Sequence, residues 1–208
     1  MARVSKAERR DAILEAALLC FAEHGYEAAR VEDIARRAGI AKGSVYLYFA
    51  DKEALFQGLL ADTLTLLQSR VEKVLARRDL TLRQKIRLAA RPLLEENGNG
   101  RIARVLRLYW AEGLHNPELS EVFYRDFIGG LFSVGAAGLL AEAGDKVPAT
   151  LKAHPELLFS GLVQGLLWQG LLGTSRPMDL TAHWEAYLDT VLGPAGPEDE
   201  LPSEEDVC

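Results

Sequence analysis

The chain is 208 residues long, which is enough for one large domain or two modest ones with a buried core. Hydrophobic residues make up 49% of it, which argues against a chain that is disordered or fibrous throughout. The net charge of −6 lies entirely on residues 194–208, so the balanced remainder of the chain excludes no class of partner.

Apolar residues recur at three- and four-residue spacings along most of the chain, and no alternating strand pattern persists. The predicted fold is therefore all-α, with about nine helices. Gly25 is expected to end the first helix, Gly39 separates two short helices, and Asp51 is a candidate N-cap for a long fourth helix. The predicted helices span about 6–24, 31–38, 41–48, 52–77, 82–96, 101–115, 118–142, 154–173 and 179–192.

The residues after Gly193 change in character. The sequence GPAGPEDELPSEEDVC has too little apolar surface to form a core, so residues 194–208 are predicted to be a disordered acidic tail. Cys20 and Cys208 are the only cysteines, which argues against a disulfide framework and favours a reducing compartment such as the cytoplasm. The amino terminus shows no apolar signal segment, and the longest apolar run is too short to cross a membrane.

The two short helices between residues 31 and 48, braced by the first helix, form a candidate helix-turn-helix. Val45 and Phe49 lie four residues apart and share the buried face of the second helix. A helix that enters the major groove needs basic and hydroxyl groups, and a small residue such as Gly43 where its backbone comes close. The side chains off the buried face are Lys42, Ser44, Tyr46 and Tyr48. Such helix pairs and half-buried tyrosines also occur in ordinary helical packing, so spacing alone leaves both interpretations open.

The run HGYEAARVEDIARRAGIAKGSVYLYFADKEALF, residues 24–56, resembles the DNA-binding segment of the TetR family of bacterial transcription regulators. The remaining helices fit that family only in number and length. The resemblance implies a three-helix DNA-binding domain at residues 1–50 and a helical ligand-binding and dimerisation domain at 51–193. The matching positions are Gly25, Tyr26, Val31, Ile34, Ala35, Ala38, Gly39, Lys42, Gly43, Ser44, Tyr46, Tyr48, Phe49, Lys52 and Glu53.

The resemblance gives the residues of the second short helix roles on DNA, position by position. Lys42, Gly43 and Ser44 would open the recognition helix and approach bases or phosphates. Tyr46 and Tyr48 would donate their hydroxyls to phosphates, or pack against a sugar or a thymine methyl group.

Two positions depart from the family pattern. Arg30 and Ala41 stand where the family usually has Ser or Thr as helix N-caps, and losing a capping hydroxyl costs about 1 kcal/mol. Arg30 is hypothesised to contact a phosphate instead, since an arginine beside the groove gains from counterion release. Lys52, which does match the family, is expected to pair with a phosphate at the start of the long helix.

The resemblance also implies a homodimer whose last two helices form a four-helix bundle with their partners, on a near-palindromic operator. The apolar segment 154–173 supports this independently, because a helix that is apolar nearly all round must be buried on most sides. A purely intramolecular core is the alternative. The candidate interface residues are Gly161, Gly165, Trp168, Trp184, Tyr187 and Leu188.

Aromatic residues gather in the middle of the chain, where the resemblance implies a cavity for a small-molecule effector. Apolar walls with a few polar groups suit a hydrophobic or aromatic molecule, although plain packing explains any single residue equally well. The candidate lining residues are Tyr109, Trp110, His115, Phe123, Phe127 and Trp168.

Catalytic and metal-binding patterns are absent from the sequence. The four histidines are isolated, and no glycine-rich nucleotide loop or nucleophile motif is present, so no enzyme activity, metal or cofactor is predicted. The predicted function is a cytoplasmic, ligand-responsive, dimeric DNA-binding regulator, most simply a repressor. The competing hypothesis is a helical small-molecule or lipid carrier with an incidental helix-turn-helix.

Overall fold

The computed structural model describes residues 5–125, 135–142 and 147–201, and within these ranges it contains eleven α-helices and no β-strand. The predicted all-α fold is confirmed, and several short helices raise the count above the predicted number. The helices are α1 (Lys6–Ala28), α2 (Val31–Arg37), α3 (Lys42–Val45), α4 (Lys52–Ala76), α5 (Leu82–Gly98), α6 (Arg101–Gly113), α7 (Pro117–Phe123), α8 (Ala137–Glu142), α9 (Ala149–Ala153), α10 (Ser160–Leu172) and α11 (Leu180–Leu192).

The chain divides into two compact units. Unit 1 comprises the residues up to 65 together with 104–123, and unit 2 comprises 66–103 and the residues from 124 onwards. The sequence-based domain boundaries after residues 50 and 193 stay predictions. Among the described residues, no helix combines the length and the hydropathy that a membrane crossing requires.

The first helix begins and ends where local chemistry directs it. Ser5 and Glu8 form a reciprocal capping box, in which the Glu8 N–H donates to Ser5 Oγ at 3.1 Å and the Ser5 N–H donates to Glu8 Oε2 at 2.7 Å. Gly25 leaves helical geometry at φ 75° and ψ 164°, which confirms the predicted break, although helical turns resume as far as Ala28. Asp51 Oδ1 accepts a hydrogen bond from the Ala54 N–H at 2.7 Å, so its predicted role as the N-cap of α4 is also confirmed.

A tight bend ends α5 at the predicted NGNG break. Glu96, Asn97 and Gly98 all have positive φ angles, a region that is costly for residues other than glycine. The Asn97 amide compensates, because its Nδ2 donates to the carbonyl oxygen of Met178 at 2.8 Å and its Oδ1 accepts from the Leu180 N–H at 2.8 Å. These bonds fasten the end of α5 to the start of α11.

The predicted helix at 154–173 begins as a 3-10 turn, Pro155–Phe159, and becomes α-helical from Ser160. Gly161 and Gly165 allow a close approach, but to α11 of the same chain. A Cβ atom at Gly161 would lie 2.2 Å from Cγ of Tyr187, and one at Gly165 would lie 2.3 Å from Cδ1 of Leu180.

Trp184 and Leu188 on α11 are completely buried within the single chain. The Trp184 ring stacks on Phe159 and Tyr187, with centroid distances of 6.1 and 5.7 Å. The prediction that Trp184 and Leu188 contact a partner is therefore wrong, because the chain's own helices already cover them. The apolar stripe on α11 correctly predicted that Trp184 and Leu188 are buried, but not which elements bury them.

Residues 194–201, here called the C-terminal strap, lie on α5. Thr81 Oγ1 donates to Asp199 Oδ1 at 2.7 Å, and Arg87 Nη1 donates to the Asp199 carbonyl oxygen at 2.6 Å. The predicted disorder is therefore wrong for these residues, because hydrogen bonds rather than apolar burial hold them. Residues 202–208, the remainder of the predicted tail, lie outside the described residues.

The predicted helix at 118–142 is described only at its two ends, as α7 and α8. Phe127, a predicted ligand-lining residue, lies outside the described residues.

Candidate nucleic-acid interface

A small apolar core joins α2 and α3 as the sequence predicted. Ile34, Val45 and Phe49 are buried, whereas Ile40 in the turn is half-buried. Gly58 on α4 makes room for Phe49, since a Cβ there would lie 2.9 Å from Cε1 of the phenyl ring. Val45 at the end of α3 and Phe49 in the turn beyond it therefore fix which side of this segment faces outward.

The turn between α2 and α3 is a Schellman motif. The Ile40 N–H donates to the Ala35 carbonyl oxygen at 3.0 Å, and the Gly39 N–H donates to the Arg36 carbonyl oxygen at 3.1 Å. Gly39 has φ 68°, the left-handed conformation that this motif needs and that glycine adopts without strain.

The amino termini of α2 and α3 have no side-chain cap. Arg30 and Ala41 occupy the N-cap positions, and only their carbonyl oxygens are used, by the N–H groups of Ile34 at 3.2 Å and Ser44 at 2.9 Å. The loss of capping hydroxyls inferred from the sequence is thus confirmed. Arg30 is exposed, so its guanidinium group is accessible to a partner.

Lys42 is exposed at the start of α3 and forms an ion pair with Glu32 on α2. Its ammonium group also lies 5.9 Å from the centroid of the Tyr46 ring, and Tyr46 is 44% exposed. The hydrogen bond from Lys42 lowers the pKa of Glu32, and the same bond raises the pKa of Lys42. Lys42 is therefore held beside Tyr46, with its ammonium group paired to the carboxylate of Glu32.

Lys52 at the start of α4 faces the end of α1. Its Nζ donates to the carbonyl oxygens of Tyr26 at 2.8 Å and Glu27 at 3.0 Å, and it lies 4.5 Å from the centroid of the Tyr26 ring. An ammonium group at a helix carboxyl terminus complements the helix dipole. Lys52 therefore has a structural role that the sequence did not reveal, and two of its three N–H groups are committed to it.

Leu47 is the residue of this surface that the sequence prediction omitted. Its side chain is 79% exposed, between the exposed Tyr46 and the half-buried Tyr48. Gly43, one turn earlier, borders open space, since a Cβ there would meet no atom within 4 Å. The signal was present in the sequence, because Gly43 and Leu47 are four residues apart and share a face.

The predicted ligand-lining residues that the structure describes have different surroundings. Tyr109 and Phe123 do pack together in unit 1, with ring centroids 6.0 Å apart, and Tyr109 Oη donates to the Phe56 carbonyl oxygen at 2.6 Å. Trp110 is half-buried and His115 is exposed. Trp168 belongs to unit 2, where its indole N–H donates to the Arg176 carbonyl oxygen at 2.8 Å.

A surface depression of about 490 Å³ in unit 2 contains none of the predicted ligand-lining residues. It is lined by Asn97, Pro177, Met178, Asp179 and Thr181.

A buried inner pair, a left-handed turn before the short helix, and basic and hydroxyl side chains that reach solvent together define a helix-turn-helix head. The model of the bacterial regulatory proteins of the tetR family matches residues 13–59, which cover this head. The match confirms, for this part of the chain, the resemblance to the TetR family that residues 24–56 showed in the sequence.

Curated relatives match mainly through this head. The chain is 49% identical to the transcriptional repressor AcnR of Corynebacterium diphtheriae over 51 residues, which is 24% of this chain and 27% of AcnR. It is 42% identical to the repressor KstR2 of Mycolicibacterium smegmatis over 69 residues, 33% of this chain and 34% of KstR2. A longer match, to the regulator BetI of Paraburkholderia xenovorans, is 25% identical and covers 88% of this chain and 93% of BetI.

Solved structures match along nearly the whole chain and show the fold. The regulator FadR of Bacillus subtilis, solved with stearoyl-CoA, gives a TM-score of 0.70 at 22% identity, covering 89% of this chain and 99% of FadR. SmeT, the repressor of a multidrug efflux pump of Stenotrophomonas maltophilia, gives a TM-score of 0.66 at 22% identity, covering 87% of each chain.

Proposed function

We propose that this protein is a transcription regulator that binds duplex DNA through α3, acts as a homodimer on a near-palindromic operator, and is released by a small hydrophobic or aromatic effector. The observation that carries the proposal is the outer face of α3. Val45 and Phe49 fix one side of this segment in the core, and its other sides present basic and hydroxyl side chains that flank Gly43 and Leu47. That combination is what insertion into the major groove requires.

The proposed DNA contacts follow from the exposure and chemistry of each residue. The backbone at Gly43 borders open space and can come close to the duplex. The proposed phosphate or base contacts are made by Arg30, Lys42, Ser44, Tyr46, Tyr48 and Lys52. Repression is favoured over activation because AcnR and KstR2, which share this head, are named repressors.

The dimer is proposed to form through the outer face of α10. Leu167 on α10 and Leu157 in the 3-10 turn before it are partly exposed, and Leu171 on α10 is 79% exposed. The described residues therefore leave large apolar side chains uncovered here. Of the residues predicted from the sequence, Tyr187 and Trp168 remain candidates at the edge of this face because both are half-buried. Gly161 and Gly165 contribute indirectly to the proposed interface, because they let α11 pack closely against α10.

The effector is proposed to bind beside the aromatic residues of the middle helices. Tyr109 and Phe123 already form a packed aromatic cluster with Phe56, and Trp110 and His115 lie on the same helix or just beyond it. An apolar or aromatic molecule suits such surroundings.

The test is selection of duplexes from a random pool, followed by titration of the selected duplex at increasing salt. A regulator should select a near-palindrome, and its affinity should fall steeply with salt as phosphate contacts release counterions. Lys42→Ala should reduce both the affinity and the salt slope. Arg78→Ala removes an exposed positive charge from unit 2 and should change neither. A helical carrier would select no duplex and show no salt-dependent binding.

A further inference from the structure

The outer face of α3 has a regular arrangement that follows from its helical geometry. Leu47 and Phe49 lie just beyond α3, in a turn where the Phe49 N–H donates to the Val45 carbonyl oxygen at 3.0 Å. If the rotation of about 100° per residue is continued through this turn, Gly43 and Leu47 lie opposite the buried pair formed by Val45 and Phe49. The ion pair of Lys42 with Glu32 and the exposure of Tyr46 place polar groups on one flank of this ridge. Ser44 and Tyr48, both half-buried, form the other flank. The outermost line of the proposed recognition helix is therefore apolar, with hydroxyl and amino groups on both sides.

Leu47 cannot take part in phosphate binding or in hydrogen-bond readout, because its side chain has no polar atom. At 79% exposure its side chain is left open by the described part of the chain, and the open space beside Gly43 lies one turn away on the same ridge. The apolar group that the floor of the major groove offers is the C5-methyl group of thymine. A methyl group placed beside Leu47 would be removed from water together with the leucine.

We propose that Leu47 is a specificity-determining residue that reads a thymine methyl group in each half of the operator. This rests on the proposed function, since it assigns a sequence preference to the surface proposed to bind DNA. Lys42, Ser44 and the tyrosines then fix the helix on the backbone, while Leu47 selects A·T over G·C base pairs at the position that it faces.

In the experiment, one thymine position of the selected operator at a time is replaced by deoxyuridine, which lacks only the methyl group. The same position is replaced in both half-sites. When the substituted position is the one that faces Leu47, wild-type protein should bind about fifteenfold more weakly. Each of the two methyl groups lost contributes a factor of about four. Leu47→Ala should bind the thymine and deoxyuridine operators with nearly equal affinity. Leu114→Ala, at a leucine that is 85% exposed in unit 1, should keep the wild-type ratio of thymine-operator to deoxyuridine-operator affinity.

The outcomes separate the two proposals. Salt-dependent binding of the unmodified operator without any effect of deoxyuridine overturns the role of Leu47 and leaves the proposed function standing. A Leu47→Ala variant that keeps the wild-type ratio overturns it as well, because another group then reads the methyl. Absence of any duplex binding overturns the proposed function and the role of Leu47 together. Thermal unfolding of the variant should match wild type, since the side chain is exposed.

Discussion

Lys42 and Glu32 form an ion pair across the two short helices of the head, ten residues apart in sequence. Both side chains are about half exposed, so the pair itself adds little to the stability of the fold. The pair matters for the proposed DNA contact, because a phosphate that binds Lys42 would have to displace Glu32 and would then lie close to a second negative charge.

Replacing Glu32 with glutamine should therefore strengthen DNA binding. The repulsion disappears while the size of the side chain is kept, so the affinity should rise roughly two- to fivefold at low salt. The gain should shrink as salt is added, because the charges involved are exposed. Titration of the selected operator measures it, with Glu118→Gln as an exposed, charge-matched control in unit 1. Equal gains for both variants would mean that overall charge, rather than the pair with Lys42, is responsible.

Lys52→Met should lower stability as well as DNA affinity. Its ammonium group donates to two carbonyl oxygens at the end of α1 and lies over the Tyr26 ring, and methionine keeps only the apolar stem. The free energy of unfolding should fall by about 1–2 kcal/mol in a urea titration. Arg30→Ala is the contrasting variant, since Arg30 makes no side-chain cap and should lose affinity without losing stability. Unchanged stability of Lys52→Met would show that the carbonyl contacts contribute nothing.

The sequence predicted the head well because its determinants are local. The capping role of Asp51, the left-handed turn at Gly39 and the burial of Val45 with Phe49 all depend on residues within a few positions of one another. It predicted neither the contacts of Lys52 with the end of α1 nor the partners of Trp184, because those depend on helices distant in the chain. An apolar stripe indicates that a residue is buried but not which element covers it.

The C-terminal strap illustrates the same limit more sharply. Its composition satisfies the criteria for disorder, yet polar side chains on α5 hold it in place from more than a hundred positions away. Gln84 shows how this works. Its Oε1 accepts from the Thr81 N–H within the capping box of α5, while its Nε2 donates to the carbonyl oxygen of Glu198 at 3.1 Å. A reading of the sequence can identify the capping box but not the use of the remaining amide group.

Asp199→Asn should destabilise the protein at neutral pH. Burial raises the pKa of Asp199, but hydrogen bonds from Thr81 and the Gly196 N–H, with the charges of Arg83 and Arg87, outweigh burial and lower the pKa below its ordinary 3.8. The ionised form is thus the one that the folded state favours. The melting temperature should fall by a few degrees, since about 1 kcal/mol corresponds to roughly 2–4 °C at this chain length.

The pH dependence distinguishes this ionic contribution from simple packing. Because the folded-state pKa is depressed, the stabilisation is complete above the unfolded-state pKa and is lost as the pH falls through the lower folded-state value. The difference between wild type and Asp199→Asn should therefore be greatest near neutral pH and shrink below about pH 4. Glu198→Ala removes an exposed acid from the same strap and should leave the melting curve nearly unchanged. A difference in melting temperature between wild type and Asp199→Asn that stays constant down to low pH would contradict the ionic explanation.

Leu171→Glu should separate the proposed dimer without unfolding the chain. Leu171 is 79% exposed on the outer face of α10, so a charge there is solvated in the single chain but would be buried without a partner in an interface. Light scattering coupled to size-exclusion chromatography should show the mass falling to that of one chain, with the helical circular dichroism retained. Operator affinity should fall as well, since two linked heads bind far better than one.

Trp184→Ala provides the contrast, because the same region of the chain holds a side chain that is completely buried. Truncating it should cost about 3–5 kcal/mol of folding free energy. The helical circular dichroism should therefore fall, whereas Leu171→Glu should lower only the mass measured by light scattering. Leu114→Glu places the same charge at an exposed leucine of unit 1 and should leave the mass unchanged. If Leu171→Glu keeps the mass of wild type while Trp184→Ala unfolds, the outer face of α10 is not the interface and the exposed leucines have another purpose.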